Sequence, residues 1–154
     1  MKKKSSFTEK LFGPVFAEVP GFNRFAALAQ AGGLKLGVGT AGDKHNIAFT
    51  LRGPRMATIP LAVVGGDEGL PGKPDPAISL EAATRLGVAG AACIVFEDAP
   101  FGVEAARRAG MRAVAMCSSH SANDLSGPHV MTCVRDYNKL LVTNFLGKLH
   151  AATA

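Results

Sequence analysis

Tryptophan is absent from the 154 residues, there is one tyrosine, and aromatic residues make up 6% of the chain. A nucleic-acid surface needs Lys and Arg clustered on one element with aromatics between them, and no such stripe occurs, so no nucleic-acid partner is expected. No run approaches the 18 apolar residues a membrane-crossing helix requires, and no membrane partner is expected. The three cysteines, Cys93, Cys117 and Cys133, show neither C-x-x-C spacing nor a neighbouring histidine ladder. That excludes the usual zinc frameworks and reads as small buried hydrophobes of a reducing compartment. MKKK resembles the start of a signal peptide, but the polar SSFTEK follows where an apolar run belongs. The expected location is cytoplasmic.

What is present is a folding chain. Hydrophobic residues make up 47% and charged residues 19%, a balance that excludes intrinsic disorder. The length suits one domain, which would bury about 70% of the surface its unfolded form exposes. Eighteen glycines suit tight strand-to-helix turns and close helix-on-sheet packing. The net charge is +5, but the first ten residues hold four Lys and one Glu, which leaves +2 on residues 11–154. The basic character is thus a property of the N-terminus. Arg107 and Arg108, the other adjacent basic pair, fall in a helical stretch and read as its solvated face.

From residue 20 onward, short apolar runs alternate with helical patterns closed by glycine. Pro20-Gly21 opens a helix through Phe22, Phe25, Leu28 and Ala29, and Gly32-Gly33 stops it. Strands are expected at 34–39, 61–64, 92–96, 112–117 and 129–134. Helices are expected near 43–52, 77–86, 101–109 and 136–149, the last with Tyr137, Leu140, Leu141, Phe145 and Leu149 on one side. This alternation predicts an α/β fold, a Rossmann-like parallel sheet with helices on both faces. Residues 20–150 form that core and 1–19 a basic segment before it.

Ligands of such sheets sit at the carboxyl ends of the strands, and three stretches there carry chemistry. GVGTAG (37–42) matches G-x-G-x-x-G between a strand and a helix, a dinucleotide fingerprint with Asp67 as the ribose acid. It reads equally as a phosphate cradle, in which the Thr40 hydroxyl joins the N–H groups of Ala41 and Gly42 at a helix start. A merely tight turn is the third reading. In Gly72-Lys73-Pro74-Asp75-Pro76, Pro74 pushes Lys73 into extended backbone and Pro76 starts a helix, which makes Lys73 an aimed anion clamp. Glu97 and Asp98 follow a buried strand directly. Adjacent carboxylates there call for a cation, and hard oxygen donors suit Mg²⁺. Asp98 would hold the metal, with Glu97 beside it on the metal or turned toward Lys73 or the helix.

With these residues in view, Pro20 to Tyr137 resembles the core of haloacid dehalogenase superfamily phosphatases, in the beta-phosphoglucomutase-like branch. PGFNRFAALAQAGGLKLGVGT resembles that family's helix–strand–Thr segment, GKPDP its lysine motif, and IVFEDAPFGVEAARRAGM its acidic motif. The resemblance implies a Mg²⁺-dependent phosphohydrolase acting on a small phosphorylated metabolite. It implies that Thr40 and the Ala41 N–H hold phosphoryl oxygens, that Lys73 is the catalytic cation, and that Asp98 and Glu97 serve the metal. The other function class left open is a non-catalytic α/β module binding phosphate and Mg²⁺, or a dinucleotide.

The family's D-x-D nucleophile motif has no counterpart. The Asp residues stand at 43, 67, 75, 98, 124 and 136, and no two are spaced by two. Without a nucleophile the chain is expected to be inactive. It is also expected to be truncated at its N-terminus, without most of the cap and without the central strand between 34–39 and 92–96. Two half-sheets with open inner edges would then expose Val38, Ile94 and Phe96 and favour self-association.

Overall fold

The computed structural model describes residues 2–5, 19–39 and 62–153. Six strands form one sheet in the order β3-β2-β1-β4-β5-β6, with every pairing parallel. They are β1 (Lys2–Ser5), β2 (Lys35–Gly39), β3 (Ala62–Val64), β4 (Cys93–Glu97), β5 (Arg112–Met116) and β6 (Val130–Val134). The helices are α1 (Phe22–Ala31), α2 (Ala77–Leu86), α3 (Pro100–Arg108), α4 (Tyr137–Val142) and α5 (Phe145–Thr153), with one 3₁₀ turn at Gly90–Ala92. The α/β expectation holds, as do the described strands within a residue or two. The helix expected near 43–52 lies outside the described residues.

The centre of the sheet corrects the expectation of two open halves. Lys2–Ser5 lies between β2 and β4, with Lys2 opposite Lys35 and Cys93, and Ser5 opposite Val38 and Phe96. Backbone hydrogen bonding needs no particular side chain, so a segment without an apolar run can pair along edges that composition leaves open. Val38, Ile94 and Phe96 are accordingly buried rather than exposed. The ground for expecting self-association through those edges falls with them.

Alternate residues of each strand point to opposite faces, and each face has its own core. On one side Leu36, Val38, Ile94, Phe96, Val114 and Val134 pack under α1, α4 and α5. On the other, Cys93, Val95 and Ala113 meet Ala83 of α2 and Ala106 of α3. The first face is aromatic. Phe25 and Phe96 stand 5.6 Å apart edge to face, and Tyr137 lies 5.3 Å from Phe25 and 5.8 Å from Phe96. Such pairs contribute about 0.5–1.5 kcal/mol each beyond the area they bury. Within α1, Phe22, Phe25, Ala26 and Ala29 are buried, whereas Leu28 is 48% exposed. The apolar stripe is narrower than the run of apolar letters.

Two local features depart from the sequence pattern. The helix expected over 136–149 is broken into α4 and α5 at Asn144, whose φ of 55° is left-handed; Asn tolerates that region better than most residues. The Thr143 hydroxyl donates to the Lys139 carbonyl at 2.8 Å, closing α4. Cys93 is a buried thiol, as expected, but Cys117 and Cys133 are joined in a disulfide between the end of β5 and the edge strand β6. Pairing of two cysteines on adjacent strands depends on register, which composition does not carry. Thiol titration of the denatured, unreduced chain should find only the Cys93 thiol, and all three after reduction. Finding all three before reduction would show that the pair is not joined.

Candidate active site

Buried strands β2 and β4 deliver Gly39 and Glu97 to the carboxyl end of the sheet, on either side of β1. Lys73 reaches both from the loop before α2. Its Nζ donates to Glu97 Oε2 at 3.0 Å and to the Gly39 carbonyl at 3.4 Å. The side chains of Lys73 and Glu97 are 4% and 0% exposed. A pair this dry is electrostatically strong, but each ion has given up its hydration to form it.

The loop is aimed from both ends. Asp75 Oδ1 accepts from the Ala77 N–H at 2.9 Å and satisfies a donor at the start of α2. The Lys73–Pro74 peptide bond is cis. Farther back, Arg85 of α2 donates to the Val63 carbonyl at 2.7 Å and pairs with Glu68 and Glu81. Glu68 in turn accepts from the Gly65 N–H at 2.8 Å. The hydrogen bonds to the two carboxylates hold the Arg85 guanidinium well above its ordinary value. This network ties the end of β3 to α2 and so fixes the stem of the loop that carries Lys73.

Glu97 and Asp98 diverge. Both oxygens of Glu97 are engaged: Oε2 by Lys73, and Oε1 by the Asp98 N–H at 3.2 Å. Its carboxyl group lies across the Cα of Gly102 in the first turn of α3, where a methyl would overlap Glu97 Cδ and Oε2. Asp98 is 6% exposed at the end of β4. Its backbone carbonyl is met at 3.1 Å by His120 Nδ1, from the loop after β5. A carbonyl can only accept, so that nitrogen carries the proton.

The structure thus joins Lys73 to Glu97, with Asp98 the next residue after β4. Thr40, Ala41 and Gly42, the predicted phosphate cradle, lie outside the described residues. Asp67 is exposed in the loop after β3. Gly37 and Gly39 belong to β2 itself, and Gly37 leaves room for Leu86 of α2, whose Cδ1 would lie 3.1 Å from an added Cβ. Gly37 thus serves the packing of α2 on β2, and the carbonyl of Gly39 accepts from Lys73.

Sequence reasoning missed Gly102 and His120. A glycine inside the helical run PFGVEAARR costs helix stability and usually marks a packing need, which was the available signal for Gly102. No pattern flags His120. On the far side of α3, Arg107 and Arg108 are solvent-facing as expected. Both pair with Glu104, and their hydrogen bonds lower its carboxyl to about 2.

Mg²⁺ is the cation to which hard carboxylate oxygens are suited. The ion takes one or two carboxylates and completes its shell with water and substrate phosphate. Asp98, a buried carboxylate at the end of β4, fits one such position. Glu97, with both oxygens committed, is placed to hold Lys73. Among the described residues no cluster of three or more His, Cys, Asp or Glu could hold a metal, and no helix is long and apolar enough to cross a membrane.

Comparison with known proteins agrees with this arrangement. Residues 11–110 match the haloacid dehalogenase-like hydrolase family. Protein CbbY of Rhodobacter capsulatus is 36% identical over 110 residues, covering 69% of this chain and 48% of that protein. A phosphorylated carbohydrates phosphatase of Thermotoga maritima is 32% identical over 116 residues, covering 75% and 53%. In three dimensions the chain is similar to beta-phosphoglucomutase from Clostridium difficile, with a TM-score of 0.68 at 22% identity over 88% of this chain and 57% of that one. The chain thus spans about half the length of these relatives. The matched span contains the lysine loop, β4 with its acidic pair, and α3 with Gly102, and on that basis the chain belongs to the haloacid dehalogenase-like hydrolase family.

Proposed function

We propose that this chain carries the phosphoryl- and Mg²⁺-binding half of a phosphohydrolase for a small phosphorylated, sugar-like metabolite, and that it does not turn over by itself. The observation that carries the reading is Lys73. Its ammonium is buried on Glu97 at the strand ends, and Asp98, also buried, is the next residue along the chain. A fixed cation there draws in a phosphoryl group and steadies the charge that develops on it. Glu97 keeps the ammonium in place, and Asp98 offers the carboxylate that would hold Mg²⁺. The metal would supply Lewis-acid neutralisation of the phosphoryl oxygens. Thr40 and the N–H groups of Ala41 and Gly42 are assigned the remaining phosphoryl oxygens.

The substrate class rests on the relatives, one of which is named for phosphorylated carbohydrates. Inactivity rests on chemistry: a covalent phosphoryl transfer needs a nucleophile, and no D-x-D pair exists among the Asp positions. The expected result with p-nitrophenyl phosphate and Mg²⁺ is no turnover above buffer. Inorganic phosphate is nonetheless expected to bind, and Lys73→Met to abolish that binding. Turnover that Asp98→Ala eliminates would overturn the inactivity and imply a substitute nucleophile. Phosphate binding indifferent to Lys73 would overturn the site.

A further inference from the structure

A second concave site lies on the α5 side of the sheet, toward the opposite end of the strands from Lys73 and Asp98. It is a cleft of about 430 Å³ between the start of β5, the edge strand β6 and the first turns of α5. Small-molecule sites typically enclose about 300–1,000 Å³, mostly apolar with a few polar groups that fix orientation. Here the floor is apolar, made by the buried side chains of Phe145 and Leu149. Met131 forms a rim and is 39% exposed. It is placed there by a bulge: Ala113 pairs with Val130 and Val114 with Thr132, so Met131 has no partner on β5. Bulges re-aim a side chain in just this way.

The polar groups are of one sign. Arg112 and Lys148 line the cleft with the Thr132 hydroxyl. None of these three side chains has a hydrogen bond or ion pair with another described residue. Arg85, Arg107 and Arg108, by contrast, each hold a carboxylate, and Lys73 is buried on Glu97. Thr143 also lines the cleft, but its hydroxyl is spent on the Lys139 carbonyl. Among the described residues, then, no carboxylate pairs with either cation of the cleft, and both stand above an apolar floor.

We propose that this cleft binds a small organic anion with an apolar body. Arg112 and Lys148 take the phosphate or carboxylate, the guanidinium fork matching two of its oxygens. Thr132 donates to a remaining oxygen, and the hydrocarbon or aryl part lies on Phe145, Leu149 and Met131. An inorganic anion would leave the floor wet, and a neutral aromatic would leave the cations unmatched.

Phenyl phosphate is the probe, followed by amide chemical-shift mapping. Saturable shifts are expected at Met131, Thr132, Phe145 and Leu149. Inorganic phosphate and phenol should each bind this cleft more weakly by about tenfold or more, the loss of one favourable component. Arg112→Gln and Lys148→Gln should each weaken phenyl phosphate by about tenfold. Met131→Glu, which places a carboxylate at the rim, should abolish the shifts while the melting temperature stays near that of the parent. Lys73→Met should leave the cleft shifts intact, so binding at the strand-end site is read separately. Shifts confined to residues around Lys73, or cleft shifts indifferent to Arg112→Gln and Lys148→Gln, would overturn the proposal, whatever becomes of the phosphohydrolase reading.

Discussion

Lys73→Met is expected to destabilise the protein by about 3–5 kcal/mol, the usual cost of removing one partner from a buried ion pair. The cause is the environment of Glu97, whose side chain is fully buried. With the ammonium gone, the carboxylate keeps the Asp98 N–H but loses the charge that offset its dehydration. For a chain of this length that is a fall in melting temperature of about 10 °C. The converse substitution, Glu97→Leu, removes the carboxylate from a buried ammonium and should cost a similar amount. Removing both charges in Lys73→Met/Glu97→Leu should recover most of the loss, because apolar replacements of similar volume are often neutral where the ion pair stood. Chemical denaturation of the four proteins forms the cycle. A single variant within about 0.5 kcal/mol of the parent, as for ordinary surface changes, would show that the pair is not buried. The phosphate site built on it would then fall.

How far the sequence foretells this depends on whether the determining contacts are local. Helix α2 lies at 77–86 as expected because Pro76 sits at its start and Gly87, at φ 72°, ends it. Strand β4 is legible because a doubly covered parallel strand must be apolar throughout, and CIVF is. Lys73, Glu97 and Asp98 are legible because strand ends collect function and few other charged residues fall there. What the sequence hides is non-local. Nothing in KKKS announces a central strand, since the partners that accept it are the backbones of β2 and β4. The Cys117–Cys133 bond depends on the register of β5 with β6. The break at Asn144 replaces one amphipathic helix by two, although both keep their apolar residues on the same core.

The division of labour between Glu97 and Asp98 is also non-local, and it rests on a missing methyl group. Gly102 occupies the first turn of α3, and the Glu97 carboxyl group fills the space a Cβ would take. Gly102→Ala should stabilise the helix by about 1 kcal/mol if propensity alone mattered. The opposite is expected. Overpacking in a close-packed core costs about 1–3 kcal/mol, and here the displaced group is a buried ion that cannot leave Lys73 without a larger penalty. A net loss of about 3 kcal/mol is therefore expected, together with weaker phosphate binding, because moving Glu97 moves the ammonium it holds. Glu97→Asp in the Gly102→Ala background withdraws the carboxylate by one methylene and should restore part of the stability. In the parent background the same change should only destabilise, because the shorter acid no longer spans the gap to Lys73. Opposite signs of Glu97→Asp in the two backgrounds would establish that Gly102 exists to seat Glu97. If Gly102→Ala instead raised stability toward the helix-propensity value, the carboxylate would not lie across α3. Glu97 would then be free to join Asp98 as the second carboxylate toward Mg²⁺.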